Sequence, residues 1–294
     1  EISENRFNYR CVLASASDTE APRTLFNCHV DVVPATDDFA RAFDGYEKDG
    51  FVYGRGACDP KNNLIMLVEA VRYMKEHAIP FRRHVLLDMP IEEEIGGNGT
   101  LSTILTRVDA DEIVCLEPTS LEVFRGHRGC LTFEIEVVGR AVHMGGDATG
   151  INAIEESYNV ISRLKKLEAR LLENAASDPA FNDWLRPLQM NIGVINGGEW
   201  SGSVPERCII RGDLGFLPPS RLEEVQQWIQ QACQEVENEW VREKLRFRFD
   251  GLKNDACLTS GDSQIVIDMV NACKNTGLEN QRMIGWNVSW DARH

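Results

Sequence analysis

The sequence predicts an α/β protein, a mainly parallel sheet carrying helices, interrupted by an inserted α+β segment. Three observations carry this prediction. Early in the chain, short apolar runs alternate with stretches of helical period, the order in which parallel strands and crossover helices follow one another. From residue 131 the apolar period changes to two, and from residue 261 a helical pattern returns, as if the chain re-enters its first domain. The length of 294 residues calls for one large domain or two medium ones.

Taken in order, residues 24–30 read as a buried strand. Residues 61–77 read as a helix with Leu64, Leu67, Val68 and Val71 on one stripe. Strands are expected at 84–89 and 112–116, with a helix near 99–108 between them. In the insertion, Leu131, Phe133, Ile135 and Val137 alternate with Thr132, Glu134 and Glu136, the pattern of a strand with one wet face. A helix over 152–172, strands at 190–195 and 207–216, a helix over 221–243 and a strand at 245–249 follow, which fits two helices on one face of an antiparallel sheet. Ile265, Val266, Met269, Val270 and Cys273 give the returning helix, and Gly277 its stop. No internal repeat is present; the Gly-rich stretch 193–202 is the nearest thing to a linker.

Composition narrows the function. The 46 acidic residues outnumber the 31 basic ones, giving a net charge of −15, which repels phosphate backbones and anionic lipid. Nucleic acid and membrane are therefore not expected partners, and no apolar run approaches the ~20 residues a spanning helix needs. Nine cysteines without a CxxC pair predict no disulfide framework and suit a reducing, cytoplasmic compartment. The chain begins without Met or secretory signal and ends at Arg293-His294 without a terminal cap, so residues are expected beyond both ends.

Four acidic or histidine clusters fall at expected strand ends. They are His29-Val30-Asp31, Asp59 after Gly54-Arg55-Gly56-Ala57-Cys58, Glu92-Glu93-Glu94, and Glu117 before Pro118. In a parallel sheet the working site lies at the carboxyl ends of the strands. Imidazole and carboxylate suit a divalent ion, and the His-x-Asp spacing lets Asp31 accept the second imidazole N–H of a metal-bound His29. Each cluster alone has an ordinary reading: a structural hydrogen bond, an N-cap at Asp59, a solvated Glu triplet, a loop carboxylate at Glu117. Four such sites on successive strands of one sheet are not expected by chance, and a buried anionic cluster has no physical need without a cation.

In order and spacing, Phe26 to Pro34, Tyr53 to Lys61, Glu92 to Gly97 and Leu116-Glu117-Pro118 resemble the acetylornithine deacetylase and succinyl-diaminopimelate desuccinylase family. The resemblance implies a zinc-hydrolase catalytic domain, residues 1–123 and 251–294, with a lid and dimerisation domain inserted at 124–250. It implies two zinc ions per active site, with cobalt able to substitute. His29 and Glu117 would hold one ion, Glu94 the other, and Asp59 would bridge them, while Glu93 acts as general base and Asp31 orients His29. Glu93 and Glu94 could divide these roles if they lie in extended backbone, where successive side chains diverge. Arg125 to Gly129 and Gly139 to His143 match the start of the lid. His143 would reach across a homodimer to steady the oxyanion in the partner's site. The implied activity is cleavage of the amide bond of a small N-acyl amino acid; a dipeptidase or carboxypeptidase on the same scaffold is the alternative, and a non-catalytic relative the third reading.

Two departures stand out. The family's last zinc-ligand histidine lies beyond the segment that 288–293 resembles, and His294 comes too early to replace it. Members acting on free carboxylates commonly carry an Asn before Val-Pro and an Arg after the next Asp, where this chain has Gly202 and Gly215; Arg207 or Arg211 are the candidates to substitute.

Overall fold

The structure, a computed structural model, describes residues 5–145, 149–278 and 282–294. The chain opens with strands β1 (Tyr9–Ala14) and β2 (Arg23–Asn27), then a hairpin of β3 (Tyr46–Lys48) and β4 (Phe51–Tyr53). Helix α1 (Asn62–Glu76), strand β5 (His84–Met89), helix α2 (Asn98–Leu105) and strand β6 (Glu112–Cys115) follow. The first sheet has the order β1-β5-β2-β6, with β2 parallel to both β5 and β6 and β1 antiparallel at the edge. The mainly parallel sheet is thus as expected, and β1 is an addition to it. On α1 the expected stripe is covered unevenly: Val71 is buried, Leu64 and Leu67 are half-buried and Val68 is exposed.

Strand β7 (Val123–His127) leads into β8 (Gly129–Val138), helix α3 (Ala153–Ala175), β9 (Met190–Gly197) and β10 (Arg207–Phe216). Helices α4 (Leu222–Cys233) and α5 (Glu239–Lys244), then β11 (Arg246–Arg248) and β12 (Lys253–Asn254), complete the second sheet. Its order is β11-β8-β10-β9, with β12 also on β8, and every pairing is antiparallel. The alternation read at 131–137 does what period two requires: Leu131, Phe133, Ile135 and Val137 are fully buried. They pack with Val160 and Leu164 of α3 and Val225 and Ile229 of α4 in one core. Asn152 starts α3 by accepting from the backbone N–H groups of Ile154 and Glu155 at 3.0 and 3.3 Å.

The single helix expected over 221–243 is two. The chain turns after Cys233 so that Val236 and Val241 both enter the core at 1% and 0% exposure. Asn238 restarts the helix as the cap of α5, and the Trp240 indole donates to the Gly139 carbonyl at 3.2 Å. A continuous helix could not bury both valines on the face it shares with Ile229.

Strand β13 (Cys257–Leu258), helix α6 (Gln264–Asn275) and strand β14 (Met283–Trp286) bring the chain back. β14 runs parallel to β7, with β13 on β7's other side. Arg83, just before β5, pairs with Asp268 of α6 at 2.7 Å, which ties the returning helix to the first sheet.

Candidate metal centre

β2 ends on a buried layer, Asn27, Cys28 and His29, and the His29 side chain is 2% exposed. Its Nδ1 edge faces Asp31, 3.1 Å from the carbonyl and 3.4 Å from the carboxylate. Its Nε2 lies 3.1 Å from Asp59 Oδ1 and 3.9 Å from Glu117 Oε2. The Asp31 carboxylate also accepts from the backbone N–H groups of Glu93 and Glu94, both at 3.3 Å, so it joins the end of β2 to the loop after β5. Glu94 accepts from the Val33 N–H at 3.2 Å.

Among the described residues, ligand atoms of His29, Asp59 and Glu94 lie within 4.8 Å of one another, a group able to hold a metal ion. Glu117 stands beside it, on the Nε2 side of His29. His143 does not: it is exposed on the second sheet's side of the chain, bridged to Ser203, with its Nδ1 accepting from Gly145 N–H at 3.1 Å and its ring 5.8 Å from Trp200.

Several local readings are corrected. Asp59 does not end a strand of the main sheet; it follows the β3–β4 hairpin, in a π-helical turn that leads into α1. It is no helix cap either, since α1 carries no side-chain cap and the carboxylate turns to His29. Glu93 and Glu94 lie in a tight turn rather than extended backbone. The Gly96 and Gly97 N–H groups donate to the carbonyls of Glu93 and Glu92, and Glu92 has a φ of 68°. Their separation comes from the turn: Glu94 faces Val33 and Asp59, while Glu93 is withdrawn toward Asp291. The triplet is no solvated face, because Glu92 is buried against Arg6 at 2.8 Å and Asn98 at 2.9 Å.

The electrostatics ask for a cation. Burial raises Glu117 to about 8 and Glu93 to about 7, with the nearby Asp291 adding to the latter. Burial and then Asp59 raise Glu94. Burial opposes a charge on His29, yet the facing carboxylates of Asp31 and Asp59 lift it to about 11. One buried imidazole facing the exposed Asp59 and the half-buried Asp31, Glu94 and Glu117 is an anionic set in excess, and its nitrogen and oxygen donors fit zinc or a similar divalent ion.

Sequence reasoning assigned no role to the layer beneath. Asp291 is buried, accepts from the Thr100 hydroxyl and pairs with Arg293 at 3.1 Å, with both side chains 3% exposed or less. An acid and a base two residues apart after Trp290 was the signal available. His294 is exposed beside Gly97 and stays outside the His29 group. Arg207 and Arg211 do not point to a ligand: they pair across strands with Glu136 and Glu134.

Residues 125–241 match the family described as the peptidase dimerisation domain of M20 proteins. The acetylornithine deacetylases of Edwardsiella ictaluri and Vibrio parahaemolyticus are 28% and 30% identical over 214 and 215 residues. These matches support the M20 family, of acetylornithine deacetylase and peptidase type. These two alignments each cover 72% of this chain but 55% and 56% of the relatives, so the match spans about half of their length. The aminopeptidase PepT of Bacillus cereus shares the fold, with a TM-score of 0.75 and 18% identity over 97% of this chain and 72% of that one. The M20 fold combines a catalytic part with a dimerisation part, in keeping with the two sheets seen here.

Proposed function

We propose that this protein is a metal-dependent hydrolase that cleaves the amide bond of a small N-acyl amino acid. The observation that carries the reading is the convergence of His29, Asp59 and Glu94 within 4.8 Å, with Glu117 at 3.9 Å from the same imidazole. His29 and Glu117 would hold one zinc and Glu94 the other, with Asp59 shared between them. Bound there, such a pair supplies Lewis-acid activation of water, lowering its pKa toward neutrality.

The chain's own residues do the rest. Asp31 fixes the His29 ring through its Nδ1 edge, leaving Nε2 toward Asp59 and Glu117. Glu93, drawn back from the ligand layer and raised by burial, takes the proton of the attacking water and returns it to the leaving amine. His143, exposed and distant in contacts from its own chain's cluster, donates to the tetrahedral oxyanion in the site of a partner subunit, so the working unit is a homodimer. Cleavage of a peptide bond, as a dipeptidase or carboxypeptidase, uses the same groups; a substrate panel of N-acyl amino acids against dipeptides separates the two.

The test is Glu93→Gln. It keeps shape and hydrogen bonding but removes the base, so turnover should fall by ~100- to 10,000-fold, the range a positioned general base contributes. Zinc content measured on the same preparation should be unchanged. Retained activity overturns the role of Glu93.

A further inference from the structure

The proposed chemistry uses Glu93 and Glu94 of the acidic triplet and gives Glu92 no part. Glu92 is nonetheless the buried member, while its two neighbours are half-buried. Its carboxylate is held at both oxygens: Oε1 pairs with Arg6 at 2.8 Å, and Oε2 accepts from the Asn98 side-chain amide at 2.9 Å. Its carbonyl accepts from the Gly97 N–H at 2.6 Å, which closes the turn. The backbone resists this arrangement. Glu92 has a φ of 68°, in the left-handed region, where a residue with a Cβ is uncommon and persists only when its surroundings over-determine it.

The next two residues depend on that conformation. Glu94 enters the ligand group with His29 and Asp59, whereas Glu93 stays outside it. On one side the turn is held by Asp31, which accepts from the Glu93 and Glu94 N–H groups at 3.3 Å, a long hydrogen bond in both cases. On the other side it is held by the segment just before β1. Arg6 takes Glu92, and Asn8 accepts from the Ile91 N–H at 3.2 Å while donating to the Gly99 carbonyl at 2.7 Å. Arg6 and Asn8 therefore bracket the turn from Ile91 to Gly99. Little slack remains in it: a Cβ at Gly97 would collide with Asp291 and Arg293, and one at Gly99 with the Ile91 backbone.

We propose that Glu92 is a positioning residue of the metal centre: pinned by Arg6 and Asn98, it keeps the start of the turn left-handed and so directs Glu94 to the ion and Glu93 away from it. This rests on the proposed metal-dependent reading and assigns the third carboxylate, which acts through Glu93 and Glu94 without touching metal or substrate. Groups that orient ligands from behind contribute to metal affinity nearly as the ligands do.

The experiment is zinc affinity, measured on chelator-stripped full chain by competition with a chelating dye, alongside the metal-free Tm. Glu92→Ala should bind zinc about 10- to 100-fold more weakly, the loss usual when a partner behind a ligand is removed. Glu92→Gln, which can still accept from Arg6, should recover part of it. Arg6→Ala should weaken zinc in the same direction, and the double variant should be no weaker than E92A alone, because Arg6 acts through Glu92. With cobalt in place of zinc, the visible spectrum of E92A should shift, as a changed ligand geometry requires.

Wild-type zinc affinity and an unchanged cobalt spectrum in E92A overturn the proposal. So does a lowered metal-free Tm with wild-type affinity, which is a purely structural role, or losses in R6A and E92A that add in full. Where E92A does not fold, R6A decides alone, since the Arg6 side chain is 48% exposed: weakened zinc supports the proposal and wild-type affinity overturns it. Turnover is recorded separately, so wild-type protein that binds zinc and hydrolyses nothing rejects the hydrolase reading and leaves the Glu92 result standing.

Discussion

His127 shows how a single buried side chain sets a measurable property. The ring is fully buried between β7 and Trp290, its Nδ1 side is engaged with the Arg128 carbonyl at 2.8 Å, and its Nε2 has no partner among the described residues. Burial holds its pKa down to about 4. The unfolded chain binds this proton near pH 6.5 and the folded chain refuses it until about 4, so stability falls as pH drops through that window. The shift corresponds to roughly 3 kcal/mol once both steps are passed. His127→Gln should flatten the loss of Tm between pH 7 and pH 4.5 relative to wild type; parallel pH profiles would contradict the assignment. At the candidate metal centre the sequence was explicit about identity and silent about environment. His29, Asp59, Glu94 and Glu117 could be named from order and spacing, whereas Glu93 is raised by burial and then by the charge of Asp291, almost 200 positions away, which no local pattern reveals.

Elements with a strong internal period were legible, and those defined by their neighbours were not. β8 and β10 bury one face against α3 and α4, so alternation marked them almost to the residue. β1, the β3–β4 hairpin, β7, β13 and β14 are short or sit at edges, where pairing partners rather than burial decide the strand. The break between α4 and α5 was hidden because Val236 continues the stripe of Val225 and Ile229, and only Val241, which falls off that stripe, marks the turn. Two stability predictions follow from the packing of α3. Leu164→Ala opens a cavity in the fully buried core and should cost about 2–5 kcal/mol in urea denaturation. Asn152→Ala removes the cap that holds two backbone N–H groups and should cost about 1 kcal/mol, without altering zinc binding. A loss of zinc in the second variant would mean that the two sheets are coupled more tightly than the contacts suggest.

At the scale of the whole molecule, the two sheets divide the labour. The parallel sheet gathers the candidate metal-binding side chains from the ends of β2, β5 and β6 and from the turn before α1, in the place where such sheets put their sites. The antiparallel sheet matches a dimerisation domain over 125–241 and presents His143 outward. No helix among the described residues is long and apolar enough to cross a membrane. If the site is completed across a dimer, activity should fall on dilution below the dimer's dissociation constant, and His143→Ala should lose turnover while retaining zinc. Mixing His143→Ala with Glu93→Gln subunits should then restore part of the activity, because one of the two sites in the mixed dimer has both groups; no recovery in confirmed heterodimers would contradict a shared site. The most direct test of the central claim is hydrolysis of an N-acyl amino acid and dipeptide panel by chelator-stripped protein, before and after zinc is returned. The account predicts cleavage that vanishes with the metal and reappears with it; cleavage indifferent to the chelator, or none from protein with zinc bound, would contradict it.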